Sequence, residues 1–150
     1  MDELSHAIAN GDIDLINRLF DEGADFNGIS TVNGEYHLIN LVKLRSNIIY
    51  RIIEDPSINL NITSRNDGKN LLCIAIFQNN NDIIKALIRR GIDINSRDND
   101  VTALHIAAFL ENFEIVRLLL EYGADKYIED GDGYTPEFVA THREGKDMKS

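Results

Sequence analysis

The stretch TALHIAAFLENFEIVRLLLEYGAD, residues Thr102 to Asp125, predicts two short antiparallel helices joined by a turn. Thr102 can cap the first helix, because its hydroxyl can accept a hydrogen bond from a first-turn amide that has no helical partner. Residues 111–112 form a polar break, and residues 115–120 carry an apolar stripe at helical spacing. Gly123 can end the second helix by taking a positive φ. A hairpin this small cannot bury its apolar faces alone, so it needs copies of itself on both sides.

Copies of this hairpin occur elsewhere in the chain. LFDEGADFN (19–27) and LIRRGIDIN (87–95) both match LLEYGADKY (119–127). The position of the leucine that opens the first helix recurs at 4, 38, 72, 104 and 137, in steps of 34, 34, 32 and 33 residues. A period of about 33 residues with two helices in each unit predicts a solenoid of stacked repeats.

On these segments the chain resembles the ankyrin-repeat family. The matching pieces are GADFN (23–27), TALHIAA (102–108), IVRLLLEYGAD (115–125) and DGDGYTP (130–136). The resemblance covers nearly the whole chain and implies an all-α solenoid of four helix-turn-helix repeats plus a C-terminal half-repeat. We expect one domain over residues 1–150, with repeats at about 1–30, 31–64, 65–97 and 98–129 and the half-repeat at 130–145.

Several residues predict the local structure of helix ends, turns and connectors. Asp12 can cap the second helix of repeat one. Asn79 can replace a turn glycine in repeat three, because asparagine tolerates left-handed backbone. The Asp98–Val101 connector is one residue short and has no glycine, unlike the connector at 130–136. In the family these connectors project from the helices as hairpin-like fingers.

Composition limits the classes of partner. The formal net charge is −10, so the chain is a poor candidate for binding nucleic acid or an anionic membrane. A protein partner with a basic surface is favoured; the alternative is that acidity only keeps the chain soluble. No apolar run reaches the ~18 residues of a membrane helix. Cys73 is the only cysteine, which excludes an intrachain disulfide and favours an intracellular, cytoplasmic location. The nucleus, or a host cell if the source is a virus or pathogen, stays open.

The sequence offers little for catalysis or cofactor binding. The resemblance implies that His105 hydrogen-bonds turn backbone, and Cys73, at the same offset in repeat three, is expected to be a small packed residue. His, Cys, Asp and Glu residues show no metal-ligand spacing. Asp130 and Asp132 resemble the start of a calcium loop, but the required glycine and glutamate are not at their places. We therefore expect no cofactor, no metal and no enzymatic activity.

The resemblance also implies a binding surface, because ankyrin proteins usually bind partners through finger tips and the concave faces of the first helices. Carrying those positions over marks Glu35, Lys43, Leu44, Asn66, Asp67, Lys69, Phe77, Gln78, Asn99, Asp100, Val101, Phe109, Leu110, Asp132, Tyr134, His142 and Arg143. Among them, Phe77, Phe109, Leu110 and Tyr134 are expected to form an exposed apolar ridge. In the alternative, the aromatic rings turn sideways and pack between repeats. Five aspartates, at positions 67, 98, 100, 130 and 132, are expected to complement a basic patch.

Two functions from different classes follow. The first is a non-enzymatic inhibitor or adaptor that binds a protein partner, similar to the short inhibitors of the IκB type. The second is a structural scaffold that self-associates through the unfinished C-terminal edge. For the chain itself, we expect a monomer or a weak dimer. An enzyme is a remote third option.

Overall fold

The computed structural model describes residues 2–142. Within this range the chain forms nine α-helices and one small antiparallel sheet. The elements are α1 (Glu3–Asn10), α2 (Ile13–Asp21), α3 (His37–Leu44), α4 (Ile48–Ile53), α5 (Leu71–Phe77), α6 (Asn81–Arg89), β1 (Arg97–Asp98), β2 (Val101–Thr102), α7 (Ala103–Phe109), α8 (Phe113–Glu121) and α9 (Pro136–Thr141). The predicted all-α repeat fold is confirmed, with the two-residue strands as a minor addition.

The chain divides into two compact units, Met1–Leu71 and Leu72–Ser150. In the first unit, α1 packs against α2 and α3, and α2 packs against α4. Its core is aliphatic and includes Ile16, Leu38, Ile49 and Ile52, all less than 2% exposed. Burial of each such side chain contributes about 1.5–3 kcal/mol before the loss of chain entropy is counted.

The second unit repeats the same arrangement. α7 packs against α8 and α9. The side chains of Ala107 and Ala108 are buried, as expected for positions where small residues let neighbouring helices approach. Ile115 and Leu119, on the inner face of α8, are completely buried. Packing between neighbouring hairpins therefore provides the core that one hairpin lacks.

The turn inside each helical hairpin places one residue in the left-handed region. These residues are Gly11, Arg45, Asn79 and Glu111, with φ values of 67°, 61°, 56° and 57°. The prediction for Asn79 is therefore confirmed. Arg45 and Glu111 adopt the same conformation, although such residues rarely do. The helical packing on either side fixes the turn more strongly than local preference does.

The predicted helix ends are also confirmed. The Asp12 carboxylate accepts a hydrogen bond from the Leu15 amide at 3.2 Å, which caps α2. Gly123 follows α8 with a φ of 94°. α4 ends at Ile53, shortly before Pro56. α9 supplies the helix of the expected half-repeat, whose residues 143–145 lie outside the described part of the chain. No helix in residues 2–142 is long and apolar enough to cross a membrane.

Candidate functional site

Four turn-bearing connectors, which we call fingers, link successive hairpins. The first finger (29–36) is closed by the bridge between Ile29 and Tyr36, and the second (63–70) by the bridge between Thr63 and Asn70. The third finger (97–102) consists of β1, β2 and their turn. In the fourth (130–134), the Asp130 amide donates to the Tyr134 carbonyl at 2.8 Å. Backbone pairing at the base of each finger therefore exposes the residues at its tip.

The third finger has no glycine at its tip, and it turns on two polar residues instead. Asn99 and Asp100 have φ values of 51° and 68°. Two central residues with positive φ are what a two-residue type I′ hairpin turn requires, and Asn and Asp tolerate this conformation better than most residues. Asn99 and Asp100 are exposed, and Val101 is half-buried. This explains how the connector can be one residue short.

The tips of the third and fourth fingers form an acidic surface. A Cβ atom placed on Gly131 would lie 3.1 Å from Oδ2 of Asp100, so the carboxylate of one finger contacts the backbone of the next. Asp132, one residue further along, is exposed. Asp130 is half-buried, and its Oδ1 atom accepts hydrogen bonds from the amides of Asp132 and Tyr134, both at 2.9 Å. The most exposed carboxylates at this surface are therefore those of Asp100 and Asp132.

His105 fixes the fourth finger to α7. Its Nε2 atom lies 2.8 Å from the Tyr134 carbonyl oxygen, which confirms the expected bond to turn backbone. Its Nδ1 atom lies 2.9 Å from the Thr102 hydroxyl, and the Thr102 hydroxyl accepts from the His105 amide at 3.3 Å. Burial lowers the pKa of His105 by more than the Tyr134 carbonyl and the Asp130 charge raise it. The neutral ring with a proton on Nε2 satisfies every one of these contacts.

Glu35 does not lie where the family positions imply. Its side chain is 0% exposed, so the expectation that it is a surface contact is wrong. The carboxylate accepts hydrogen bonds from the amides of Tyr36 and Arg65, both at 2.9 Å, and from the Ser64 hydroxyl at 2.5 Å. Burial alone would raise the pKa of Glu35, but these donors hold it below its ordinary value. Glu35 therefore joins the first finger to the second.

The tip of the second finger is less acidic than its sequence implies. Asn66 and Asp67 are exposed, and Nζ of Lys69 lies 3.9 Å from Oδ2 of Asp67. Burial alone would raise the pKa of Asp67, but the Lys69 amide, the Ser64 hydroxyl and the charges of Lys69 and Lys43 lower it. Lys43 is exposed in the last turn of α3. Asp67 therefore stays ionised, with the charges of Lys69 and Lys43 near it in the first unit. Asp98, expected as a surface charge, is also buried; it lies in β1, opposite Val101 of β2.

The expected apolar ridge is present only in part. Phe77 is 51% exposed at the end of α5, and Leu110 is exposed just after α7. Phe109 and Gln78 are half-buried. Leu44, in the first unit, is half-buried, and a Cβ on Gly11 would contact it at 3.8 Å.

Tyr134 belongs to a separate aromatic stack. Its ring lies parallel to that of Phe138, with 4.4 Å between centroids, and Phe138 stacks on His142 at 4.0 Å. The three residues are four apart and lie on one face: Tyr134 is two residues before α9, Phe138 is within it and His142 directly follows it. Tyr134 is half-buried and packs against its own half-repeat, which is neither the exposed ridge nor the packing between repeats considered in the sequence. Arg143 lies outside the described residues.

The family models decide what kind of chain this is. A model of ankyrin repeats in three copies matches residues 4–98, and a model of a single ankyrin repeat matches residues 99–131. The chain belongs to the ankyrin-repeat family. Ankyrin repeats are generally protein–protein interaction modules, so membership of this family implies protein partners. No curated protein sequence shows significant similarity to this ankyrin-repeat protein.

Residues that would support other chemistry are not brought together. Cys73 is completely buried in α5, in agreement with its expected packing role. Within residues 2–142, no three His, Cys, Asp or Glu side chains are close enough to hold a metal ion. What the structure presents instead is surface, and one part of it was missed in the sequence. Phe113 and Leu120 of α8 are exposed, although their spacing in the sequence resembles that of core residues; no single position gives a signal for this exposure.

Proposed function

We propose that this ankyrin-repeat protein is a non-enzymatic protein-binding module, an inhibitor or adaptor. It binds a basic surface of its partner through the tips of the third and fourth fingers. The observation that supports this most is the contact of the Asp100 carboxylate with Gly131, next to the exposed Asp132. Two exposed acidic groups on neighbouring fingers attract a cationic partner from a distance and orient it during encounter.

The apolar residues beside these fingers supply contact area. Phe77 and Phe109 end α5 and α7, five residues after Leu72 and Leu104 respectively, so successive repeats present them at the same place. Leu110 extends the exposed part of this surface. Aromatic side chains near the centre of an interface often contribute most of its binding energy. We therefore assign specificity to the charges and affinity to the apolar residues.

A second candidate is self-association through the C-terminal edge, because Phe113 and Leu120 leave that edge apolar. A net charge of −10 opposes pairing of two copies, so we favour a monomer that dimerises weakly at most. The single cysteine supports an intracellular location, in the cytoplasm or the nucleus.

Quantitative capture from a cell lysate tests the proposal. The bait is the full chain, compared with the double variant Asp100→Lys/Asp132→Lys. The control, Glu22→Lys/Glu54→Lys, changes the net charge equally at exposed positions after α2 and α4, where a lysine suits the helix C-terminus. We expect a set of captured proteins that the finger variant loses and the control retains. A further variant, Phe77→Ala/Phe109→Ala, should lose the same set.

Two results would contradict the proposal. If the finger variant and the control capture the same proteins in the same amounts, the finger tips do not form the binding surface. If the chain captures only itself, and light scattering shows a dimer, the scaffold function replaces the one proposed.

A further inference from the structure

The first finger carries an Asn–Gly pair at its tip. Asn33 and Gly34 are both exposed. Among the described residues, no heavy atom outside the chain neighbours of Gly34 lies within 4 Å of the place that a Cβ on it would take. Asparagine is a chemically labile residue, and a following glycine leaves its own nitrogen unshielded, because it has no side chain. The nitrogen of Gly34 is therefore accessible to the side-chain amide of Asn33.

Two other fingers carry aspartate where the first carries asparagine. The pairs Asp67–Gly68 and Asp132–Gly133 lie, like Asn33–Gly34, with their first residue four positions before the start of the next helix. The three glycines have φ values of 76°, 84° and 72° respectively. The first finger thus has the glycine conformation of the other two but a neutral side chain beside it.

The second finger shows that this backbone accepts a carboxylate. Oδ1 of Asp67 accepts a hydrogen bond from the Lys69 amide at 3.2 Å, and Oδ1 of Asn33 accepts from the Glu35 amide at 3.1 Å. The contact is the same, two residues along the chain in both fingers. An aspartate at position 33 can therefore keep the bond that the asparagine makes.

We propose that Asn33 is a site of spontaneous deamidation, which gives the first finger the carboxylate that the second and fourth fingers already carry. The nitrogen of Gly34 passes its proton to water and forms a bond to Cγ of Asn33. The bond between Cγ and Nδ2 breaks, and Nδ2 takes up a proton and leaves as ammonia. Water then opens the five-membered imide. Opening at Cγ leaves aspartate, and opening at the backbone carbonyl carbon leaves isoaspartate.

The contacts of the Asn33 side chain suit this reaction. Its Oδ1 atom accepts from the Glu35 amide at 3.1 Å and from Nδ2 of Asn40 at 3.2 Å. The Glu35 amide can only donate, so it fixes which end of the Asn33 amide is oxygen. This oxygen becomes negatively charged when Gly34 attacks, and donors aimed at such an atom stabilise the charge.

The tip can rearrange for the attack while the base of the finger stays closed. At the tip, the Gly34 amide donates to the Ser30 carbonyl at 2.9 Å, and this bond must open. At the base, the Ser30 amide donates to the Glu35 carbonyl at 2.7 Å, and Ile29 pairs with Tyr36. Ring closure at Asn33 therefore leaves the neighbouring helices intact.

The Asn–Gly pair at 10–11 is an internal comparison within a helix end. Asn10 is the last residue of α1, and the Gly11 amide bonds to the carbonyls of Ala7 and Ile8. Turning the Gly11 nitrogen toward the Asn10 side chain breaks these helical bonds. We therefore expect slow deamidation at Asn10, although it is exposed.

The pair at 27–28 is a second comparison, because Asn27 joins successive repeats. Its Nδ2 atom donates to the Ser57 carbonyl and its Oδ1 atom accepts from the Asn59 amide, both at 2.8 Å. A carboxylate cannot donate, so an aspartate at position 27 loses the bond to Ser57. At position 33 the partner is the side chain of Asn40, which can turn its amide to donate to the new carboxylate.

The test follows all three amides in the full, folded chain. The protein is incubated in slightly alkaline buffer and digested with trypsin, and tandem mass spectrometry locates each conversion in the peptides of residues 1–18 and 19–43. Synthetic standards distinguish aspartate from isoaspartate, and circular dichroism shows that the chain stays folded. We expect Asn33 to convert at least about tenfold faster than Asn10 or Asn27.

A second measurement tests whether the finger accepts the product. Asn33→Asp should keep the urea midpoint of the wild type. Asn27→Asp adds the same charge and is the matched control, and it should lower the midpoint because a carboxylate then faces the Ser57 carbonyl. Both variants are read by circular dichroism under the same conditions.

Three results would overturn the proposal. The first is an Asn33 that keeps its amide in the folded chain while a synthetic peptide of residues 28–42 loses it. The second is conversion at Asn10 or Asn27 that is as fast as at Asn33. The third is an equal fall of the urea midpoint in Asn33→Asp and Asn27→Asp. None of these measurements involves a partner, so the test does not depend on the proposed function.

Discussion

The backbone amide of Arg65 donates a hydrogen bond to Oε1 of Glu35 at 2.9 Å, across 30 residues of sequence. Ser64, beside Arg65, occupies the place that Asp130 takes in the fourth finger, because the side chain of each accepts from the amide two residues later. Serine brings no negative charge to the amides of its finger. Glu35 provides that charge from the preceding finger, and so couples two successive repeats.

Glu35→Gln should lower the free energy of unfolding by about 2–3 kcal/mol at neutral pH, because the amide accepts fewer and weaker hydrogen bonds than the buried carboxylate. Urea denaturation followed by circular dichroism measures the change. Glu54→Gln, an exposed residue of the first unit, is the control and should have little effect. Similar unfolding midpoints for wild type and Glu35→Gln would mean that the carboxylate does not stabilise the finger pair.

The destabilisation caused by Glu35→Gln should depend on pH. The pKa of Glu35 is lower in the folded chain than its ordinary value of 4.5. The stabilisation is therefore fully present above 4.5 and is lost as the pH falls through the folded-state pKa. The difference between wild type and Glu35→Gln should shrink as the pH is lowered below that value. A difference that stays constant through this window would contradict the coupling.

His105→Leu should cost about 2–4 kcal/mol of stability, since it leaves the Tyr134 carbonyl and the Thr102 amide without their partner. Cys73→Ala is the comparison, because Cys73 is equally buried at the same offset in its repeat but has no imidazole. We expect about 1 kcal/mol there. Hydrogen exchange should also show faster exchange of the Asp130 amide in the His105 variant. An equal loss of stability in the two variants would mean that His105 contributes only packing.

Asp100→Gly should distinguish the effect of the turn conformation on stability from the effect of the carboxylate charge on binding. Glycine adopts positive φ without strain, so the variant should be more stable by about 0.5–1 kcal/mol, with the turn of the third finger intact. Capture of a partner should nevertheless weaken, because the carboxylate is gone. Thermal unfolding and the lysate capture described above measure the two effects. A variant that is destabilised would mean that the contact of Asp100 with Gly131 matters more than the turn.

Acidification should destabilise the first unit through His37. Nδ1 of His37 is buried and has no hydrogen-bond partner among residues 2–142. Burial lowers the pKa of His37 below its ordinary 6.5, although Asp2 and Asp25 raise it in part. Below 6.5 the unfolded chain therefore binds a proton that the folded chain does not, so stability decreases as the pH falls through this window.

His37→Leu removes the group that binds this proton in the unfolded chain. The free energy of unfolding should therefore depend less on pH between about pH 7 and about pH 5. His105, whose pKa is also lowered, should account for the slope that is left. His6→Leu, at an exposed position, should keep the wild-type slope. Urea midpoints across this range decide, and an unchanged slope in His37→Leu would refute the assignment.

The repeat fold could be predicted from the sequence because its determinants are local and periodic. The leucine period, the Thr102 cap and the histidine at position 105 each act within one hairpin or between neighbours. The glycine-free third finger was recognised as short, but only the backbone shows that Asn99 and Asp100 both adopt positive φ. Nothing in a single position predicts which residues a turn will force into that region.

The surface was harder to predict, because exposure depends on what lies beside a residue in space. Glu35 looks like a finger-tip contact in the sequence, yet donors 29 to 31 residues away bury it. Asp67 looks like an isolated negative charge, yet the charges of Lys69 and Lys43 lie close enough to lower its pKa. Leu120 looks like core, yet it is exposed because α8 has no further outer helix beside it in the described part of the chain.

The most direct measurement is the association rate constant of a captured partner as a function of ionic strength. We expect the wild-type rate to fall steeply as salt is added, as it does when charge steers encounter. Asp100→Lys/Asp132→Lys should slow association at low salt and flatten this dependence, while Glu22→Lys/Glu54→Lys should retain most of both. Identical rates and salt dependences for the wild type and the finger variant would contradict binding at the acidic finger tips.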